Sequence, residues 1–360
     1  MVEQLAKKMV LWVKHQMQNI THYRTINQMR EGKSYVALSS EQEAQVQNFY
    51  KKYYGKKINL KWHEYYLFVN NEFSERYIPT YIYYSEIASK LNDSKMSFAY
   101  SDKNMITQYV GNIVALPKTY VQNRNGIYYV DNNIVSKEFA IQACVNLPDA
   151  VIKHSLDSSQ GKSILRFKSE NGSVSGPGCP SSIESLFDLY GKNFIVQAAI
   201  QQCDCLSQLN KSSLNTVRIM TYWSKSGIVP VFAVIRIGRS GAVVDNASAG
   251  GIYCGVNIDN GSLKEFAYTL HPFSKHTHTD SGICLKDFVV PKFDLMKAKA
   301  IEMHKQLPYA KLIGWDLTIN IKDEVELVEI NARGPGLFQA ATGPAFGKFT
   351  EEILEVARRV

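Results

Sequence analysis

A chain of 360 residues with 45% hydrophobic content can bury a sizeable core and build two or three domains. Its formal net charge of +8 suits anionic small molecules such as nucleotides or acidic sugars, and the lack of any dense Lys/Arg block argues against a nucleic-acid binder. No apolar run approaches the length of a membrane span, and the six cysteines, with no C-x-x-C spacing and no preceding signal peptide, read as reduced thiols in a cytoplasmic protein.

In chain order, residues 3–30 carry Leu5, Met9, Trp12, Val13 and Met17 at three- and four-residue steps, with Lys7, Lys8, Lys14 and His15 between them. This is the pattern of a basic amphipathic helix. Such a helix packs on its own protein or a partner chain, and residues 3–20 are also compatible with peripheral contact at a membrane. Ser40-Glu41-Gln42-Glu43 has the form of a capping box opening a second helix, which Gly55 stops. Residues 60–100 are rich in tyrosine and resist assignment.

Strands at 150–155 and 164–168 flank the polar loop "LDSSQGKS", residues 181–191 form a helix closed by Gly191, and 193–200 form a strand. "NTVRIMTYW" and "VPVFAVIRIG", joined by "SKSG", read as a hairpin. "HPFSKHTHTD" offers His271, His276 and His278 as zinc-like ligands, but it lacks Cys and a helical i,i+4 pair and reads instead as a loop near a substrate entrance. "PKFDLMKAKAIEMHKQL" is a helix opened by Pro291, and "LIGWDLTIN" and "EVELVEIN" are two more strands.

The last two strands carry the chemistry. If Lys322 and Asp323 form a two-residue turn, Ile321 pairs with Glu324, Asn320 with Val325, Thr318 with Leu327 and Asp316 with Glu329. Alternation then puts Asp316, Glu329 and Asn331 on one face. Two opposed carboxylates are destabilising without a cation between them. Two carboxylates and an amide carbonyl select a hard ion, Mg²⁺ or Mn²⁺, over zinc. Arg218 and Arg236 lie within apolar strands, where a charge is costly unless paired or facing a ligand; both fit clamps on phosphate or on a substrate carboxylate. Arg333 continues the face of Asn331 and points toward the metal side, as a group to bind an acceptor carboxylate or acyl phosphate.

An Asp on one strand, Glu-x-Asn thirteen residues later on the next, and a Gly/Pro turn in "ARGPG" together resemble an ATP-grasp enzyme. "KWHEYY", "RYIPTYIYYSEIASKLN", "DKNM", "NTVRIMTYW", "IRIG", "VDNASAGGI" and "GWDLTINIKDEVELVEINARGPG" more closely resemble the sugar-transfer-associated ATP-grasp family found with polysaccharide biosynthesis, over most of the chain from about residue 40. The resemblance implies an α+β, ATP-grasp fold in which two α+β subdomains clasp ATP behind a mainly helical N-terminal region. Residues 1–100 would be that region, 101–205 the first part of the grasp with a lid subdomain at about 147–203, and 206–360 the C-terminal subdomain with the metal site.

Site roles follow from the same resemblance. Lys153 matches the lysine that reaches the nucleotide phosphates, with His154 where the family usually has Pro, and Lys103 is a further phosphate contact. Ser158, Ser159, Gly161 and Lys162 lie in the loop that closes over the β- and γ-phosphates. Gln197 (Glu in many relatives), Ala198 and Ile200 form the hinge that reads adenine, and Asp204 holds the ribose. Asn246, Gly250 and Gly251 match a turn near the acceptor.

The implied activity is an ATP- and Mg²⁺-dependent carboxylate–amine ligase acting through an acyl phosphate, on a sugar acid, nucleotide sugar or amino compound in surface-polysaccharide synthesis. Two alternatives stand beside it: a kinase of a sugar or polyol using the same ATP site, and a non-catalytic nucleotide-binding subunit of a glycan assembly complex.

Overall fold

The computed structural model describes residues 26–27, 37–156, 164–239, 241, 245, 250–270 and 273–358. Of the amphipathic stretch expected over residues 3–30, only Ile26 and Asn27 lie within the described residues.

Two seven-stranded antiparallel sheets organise the chain. The first contains β1 (Thr119–Arg124), β2 (Ile127–Val130), β3 (Asn133–Val135), β4 (Leu147–His154), β5 (Ile164–Glu170), β6 (Ser173–Ser175) and β7 (Phe194–Ala198), in the order β3-β2-β1-β7-β4-β5-β6. The second contains β8 (Thr216–Ser224), β9 (Gly227–Ile237), β10 (Ile252–Val256), β11 (Leu263–Tyr268), β12 (Lys275–His276), β13 (Leu312–Ile319) and β14 (Val325–Asn331), in the order β12-β11-β10-β9-β8-β13-β14. Every residue of β13 is buried, including Asp316 and Thr318, so its polar side chains must find partners inside the protein. The helix Phe293–His304 covers this sheet with Phe293, Met296, Ala300 and Met303. Among the described residues, no helix is long and apolar enough to cross a membrane.

The helix Ser40–Tyr53 begins one residue earlier than the sequence indicates. Ser39 is the cap: its Oγ accepts from the Gln42 N–H at 3.2 Å, and Gln42 Oε1 accepts from the Ser39 N–H at 2.9 Å. Gly55, at φ +87°, turns the chain out of this helix. The unassigned tyrosine-rich stretch is helical. It contains Lys61–Asn70, a π-helical turn at Tyr83–Ile87 flanked by short α-helical pieces, and Ser94–Tyr100. Several of its aromatics are core rather than surface: Trp62, Tyr65 and Tyr66 pack with Tyr77, Tyr253 and Tyr268. Buried hydroxyls find carbonyls, Tyr50 Oη donating to the Tyr77 carbonyl at 2.6 Å and Tyr83 Oη to that of Pro335 at 2.5 Å.

The reading of all six cysteines as reduced thiols is corrected at one pair. Cys203 and Cys205 form a disulfide, their Cα atoms 5.3 Å apart where a C-x-C segment enters a short helix. Cys144, Cys179, Cys254 and Cys284 are free thiols.

Asn92 ties the helical region to the second sheet. Its Nδ2 donates to the carbonyls of Leu312 and Ala332, both at 2.7 Å, and its Oδ1 accepts from the Leu312 N–H at 3.0 Å. Asn92→Ala strands all three buried backbone groups. The expected loss is about 2–4 kcal/mol of unfolding free energy, read from urea titration, with Asn92→Asp intermediate because it keeps one acceptor.

Candidate active site

Asp316 lies directly opposite Glu329 on β14 and opposite Arg218 on β8. The Asp316–Glu329 pairing is the one expected from the sequence, but the path to it is not. Near the turn Ile319 faces Val325, Thr318 faces Glu326 and Leu317 faces Leu327, and a β-bulge at Val328 shifts the register before Asp316. The turn is also wider than two residues: Asn320 Oδ1 accepts from the N–H groups of Lys322 and Glu324, and Asp323 takes φ +63°.

Asp316 has no exposed surface and is held by two guanidinium groups. Arg218 binds it through two nitrogens, Nε to Oδ1 at 2.6 Å and Nη2 to Oδ2 at 2.7 Å. Arg236 Nη2 donates to Oδ2 at 2.9 Å and to Thr216 Oγ1 at 2.7 Å. Asp245 extends the network, with its Oδ2 3.6 Å from Arg236 Nε. Burial opposes ionisation of Asp316, but the flanking Arg218 and Arg236 outweigh it and hold the carboxyl below its ordinary range. Burial also pushes the Asp245 carboxyl up, against the pull of Arg236. The sequence offers Arg218 and Arg236 as clamps reaching for a ligand. In the structure both are engaged with carboxylates of their own chain.

Glu329 is the more open carboxylate, its side chain 30% exposed, and its Oε1 lies 3.0 Å from Lys103 Nζ. Asn331 Nδ2 donates to Asp316 Oδ2 at 3.2 Å, so two members of the expected metal set touch, and the third, Glu329, faces Asp316 across the strand pair. The set fits a hard divalent ion in kind: its donors are oxygens, with Glu329 and Asn331 both part-exposed on the strand next to Asp316. Within this arrangement the Asp316 oxygens belong to the arginines, which leaves Glu329 as the more open carboxylate for an ion.

Across from this cluster stands the first sheet. Gln197 on β7 faces Val151 on β4, two residues before Lys153, so Gln197 and Lys153 share a face. A narrow crevice is lined by both of these, by Lys103, and by Leu116, Pro117, Leu327 and Val328. Burial, reinforced by the charge of Lys103 and partly offset by Glu329, lowers the Lys153 ammonium to about 8. The apolar walls Leu116 and Leu327 carry no motif and are not singled out by sequence. They meet because the Leu327 N–H donates to the Ala115 carbonyl at 2.9 Å.

The remaining expected residues are dispersed. The Ala198 N–H is spent on the Lys118 carbonyl at 2.8 Å; Ile200 follows beyond the strand, and Asp204 is exposed at the start of the helix Asp204–Ser207. Arg333 is exposed, its guanidinium 5.1 Å from the ring centre of Phe98. Gly250 is exposed at φ +94°, a conformation that favours glycine, and Gly251 is buried. Ser158, Ser159, Gly161, Lys162, Asn246 and His271 lie outside the described residues. His276 and His278 contact hydroxyls of Ser274 and Thr277, and among the described residues no group of three His, Cys, Asp or Glu side chains is placed to hold a metal.

A family model described as sugar-transfer associated ATP-grasp matches residues 84–353. No curated protein matches the chain. Solved structures that resemble it include the ATP-grasp ligase PsnB complexed with minimal precursor, Mg and ADP (10% identity, TM-score 0.42), covering 75% of this chain and 62% of that one. VanG D-Ala:D-Ser ligase from Enterococcus faecalis is 15% identical at TM-score 0.44, covering 74% and 63%. An ADP complex of purK, N5-carboxyaminoimidazole ribonucleotide synthetase, is 10% identical at TM-score 0.38, covering 66% and 45%. The chain therefore spans less than two thirds of the length of each of these proteins.

The two carboxylates should respond differently to neutralisation. Asp316→Asn leaves two buried guanidiniums short of a countercharge and should cost about 3–5 kcal/mol of stability. Glu329→Gln, whose own side chain is partly exposed but which leaves the nearly buried Lys103 without its carboxylate, should cost less, about 1–3 kcal/mol. Denaturant unfolding of the two variants, side by side, reads the contrast.

Proposed function

The chain belongs to the sugar-transfer associated ATP-grasp family, and from that premise we propose that it is an ATP- and Mg²⁺-dependent ligase joining a carboxylate to an amine. The observation that carries the reading is the crevice itself. On one side stand Lys103, Lys153 and Gln197 and on the other Leu327 and Val328, and Lys103 reaches from the crevice to Glu329, which faces an Asp316 kept ionised by two arginines.

A carboxylate is a poor acyl donor at neutral pH. In the proposed reaction its oxygen attacks the γ-phosphorus of ATP, a new C(O)O–P bond forms, and ADP leaves with the electrons of the broken P–O bond. The amine then attacks the acyl carbon, phosphate departs with the electrons of the C–O bond, and the amine proton is released. Positioning and charge neutralisation supply most of the rate.

Lys103 and Lys153 hold phosphate oxygens, and Ser158, Ser159, Gly161 and Lys162 close over them. Gln197, Ala198 and Ile200 read the adenine edge, with Leu116 and Leu327 as its apolar walls, and Asp204 takes the ribose. Glu329, Asn331 and Asp316 are the residues that would hold Mg²⁺, which when bound neutralises charge on the β- and γ-phosphates. Arg218 and Arg236 fix Asp316 and stabilise the transferring group. Arg333 binds the acceptor carboxylate, with Asn246, Gly250 and Gly251 on the acceptor side. The family description and the net charge of +8 favour a sugar acid or nucleotide-sugar acid as substrate, in surface-polysaccharide synthesis within the cytoplasm.

The test is phosphate release from Mg-ATP over a panel of uronic acids, nucleotide-sugar acids and amines. Phosphate that appears only when acid and amine are both present supports the ligase. ADP with a stable phosphomonoester and no amine requirement replaces it with a kinase, and no turnover with tight ADP binding replaces it with a binding subunit.

A pH dependence follows from Lys153. Below about 8 its ammonium is charged and binds phosphate; above that value it is increasingly neutral. ADP affinity by titration calorimetry should therefore fall as pH rises through 8, and Lys153→Arg should flatten the decline, because a guanidinium keeps its charge.

A further inference from the structure

Glu329 stands opposite Asp316, and two facing carboxylates require positive charge. Asp316 draws it from Arg218 and Arg236. Glu329 draws it from Lys103, which comes from outside its own sheet and is only 7% exposed. That lysine is anchored from behind. Its N–H donates to the Ser155 carbonyl at 3.1 Å, at the end of β4. Next to it Asn104 is clamped to β1, its Nδ2 donating to the Asn123 carbonyl at 3.0 Å and its carbonyl accepting from Gln122 Nε2 at 2.9 Å. The ammonium is thus delivered by a fixed segment onto a partly open carboxylate of the other sheet. A buried ammonium stripped of its carboxylate is strongly disfavoured unless another anion replaces it.

We propose that Lys103 is a resident counterion which occupies the place of the divalent ion on Glu329 until the metal–nucleotide arrives, and then passes to the phosphates. The inference rests on the ligase reading only for the identity of the incoming anion. Neither partner is left unpaired at the end of the exchange: Lys103 gains phosphate oxygens and Glu329 gains the cation. Free metal gains only half of this, because it must displace Lys103 without offering it an anion. The bare protein therefore binds divalent ions poorly, and metal enters with the nucleotide.

The experiment is Mn²⁺ binding to the full chain without nucleotide, followed by electron paramagnetic resonance. Removing an ammonium in contact with the ion's ligand should tighten Mn²⁺ in Lys103→Gln on the order of tenfold. Lys103→Arg, which keeps the charge, should bind as weakly as the parent, and Lys153→Gln should gain at most about threefold from the loss of a more distant charge. Lys103→Gln binding Mn²⁺ no better than the parent, or no better than Lys153→Gln, overturns the proposal. A tighter Lys103→Gln in a protein that turns over no acid–amine pair retains the counterion and discards the ligase; turnover with unchanged metal binding does the reverse.

Discussion

The buried pairing of Asp316 with Arg218 and Arg236 is the constraint on which the rest of the second sheet depends. A carboxylate with no exposed surface and guanidiniums on β8 and β9 tolerate one alignment of three strands, because any slip leaves a charge buried and unmatched. That alignment fixes β13, and β13 fixes which residue of β14 faces Asp316. The position of Glu329, and with it the electrostatics of the crevice, follows from a charge network that itself has little contact with solvent.

Contacts between segments far apart in sequence join the flanks of the first sheet to the β13–β14 hairpin. Ala115 lies beside Glu326, Gln202 beside Asn320, and the Cys203 N–H donates to the Ile319 carbonyl at 2.8 Å. The segments that lead into the first sheet and out of it are thereby both stitched to the β13–β14 hairpin. The Cys203–Cys205 disulfide sits within the second of these joints, next to Asp204, and stiffens the backbone there.

Much of the hairpin was legible because strand alternation and charge opposition are local rules. Asp316, Glu329 and Asn331 could be grouped from spacing alone. What spacing could not reveal was the partner of each arginine: Arg218 and Asp316 are 98 residues apart, and only the sheet order brings them together. The same holds for Leu116 and Leu327, ordinary apolar residues that become walls through one backbone hydrogen bond. The tyrosine-rich helices escaped assignment for a different reason. The buried Trp62, Tyr65, Tyr66 and Val69 follow helical spacing, but the part-buried Leu67 and Phe68 make residues 65–69 one continuous apolar run, which blurs the stripe that a periodic reading needs. The sequence alone places the cap at Ser40, because Ser39 and Ser40 are chemically equivalent there, and only backbone geometry chooses Ser39.

The bulge at Val328 lets the hairpin obey two registers at once, one that buries Leu317, Ile319, Val325 and Leu327 and one that sets Asp316 against Glu329. The extra residue acts as slack in the strand. A descendant that lost Val328 would pair without interruption and still oppose the same two acids, whereas a residue lost from the loop at 320–324 would rotate the whole of β14 to its opposite face. Length can therefore drift at one point of this hairpin and not a few residues away, so a search pattern with rigid acid-to-acid spacing will overlook sister chains that have kept the chemistry.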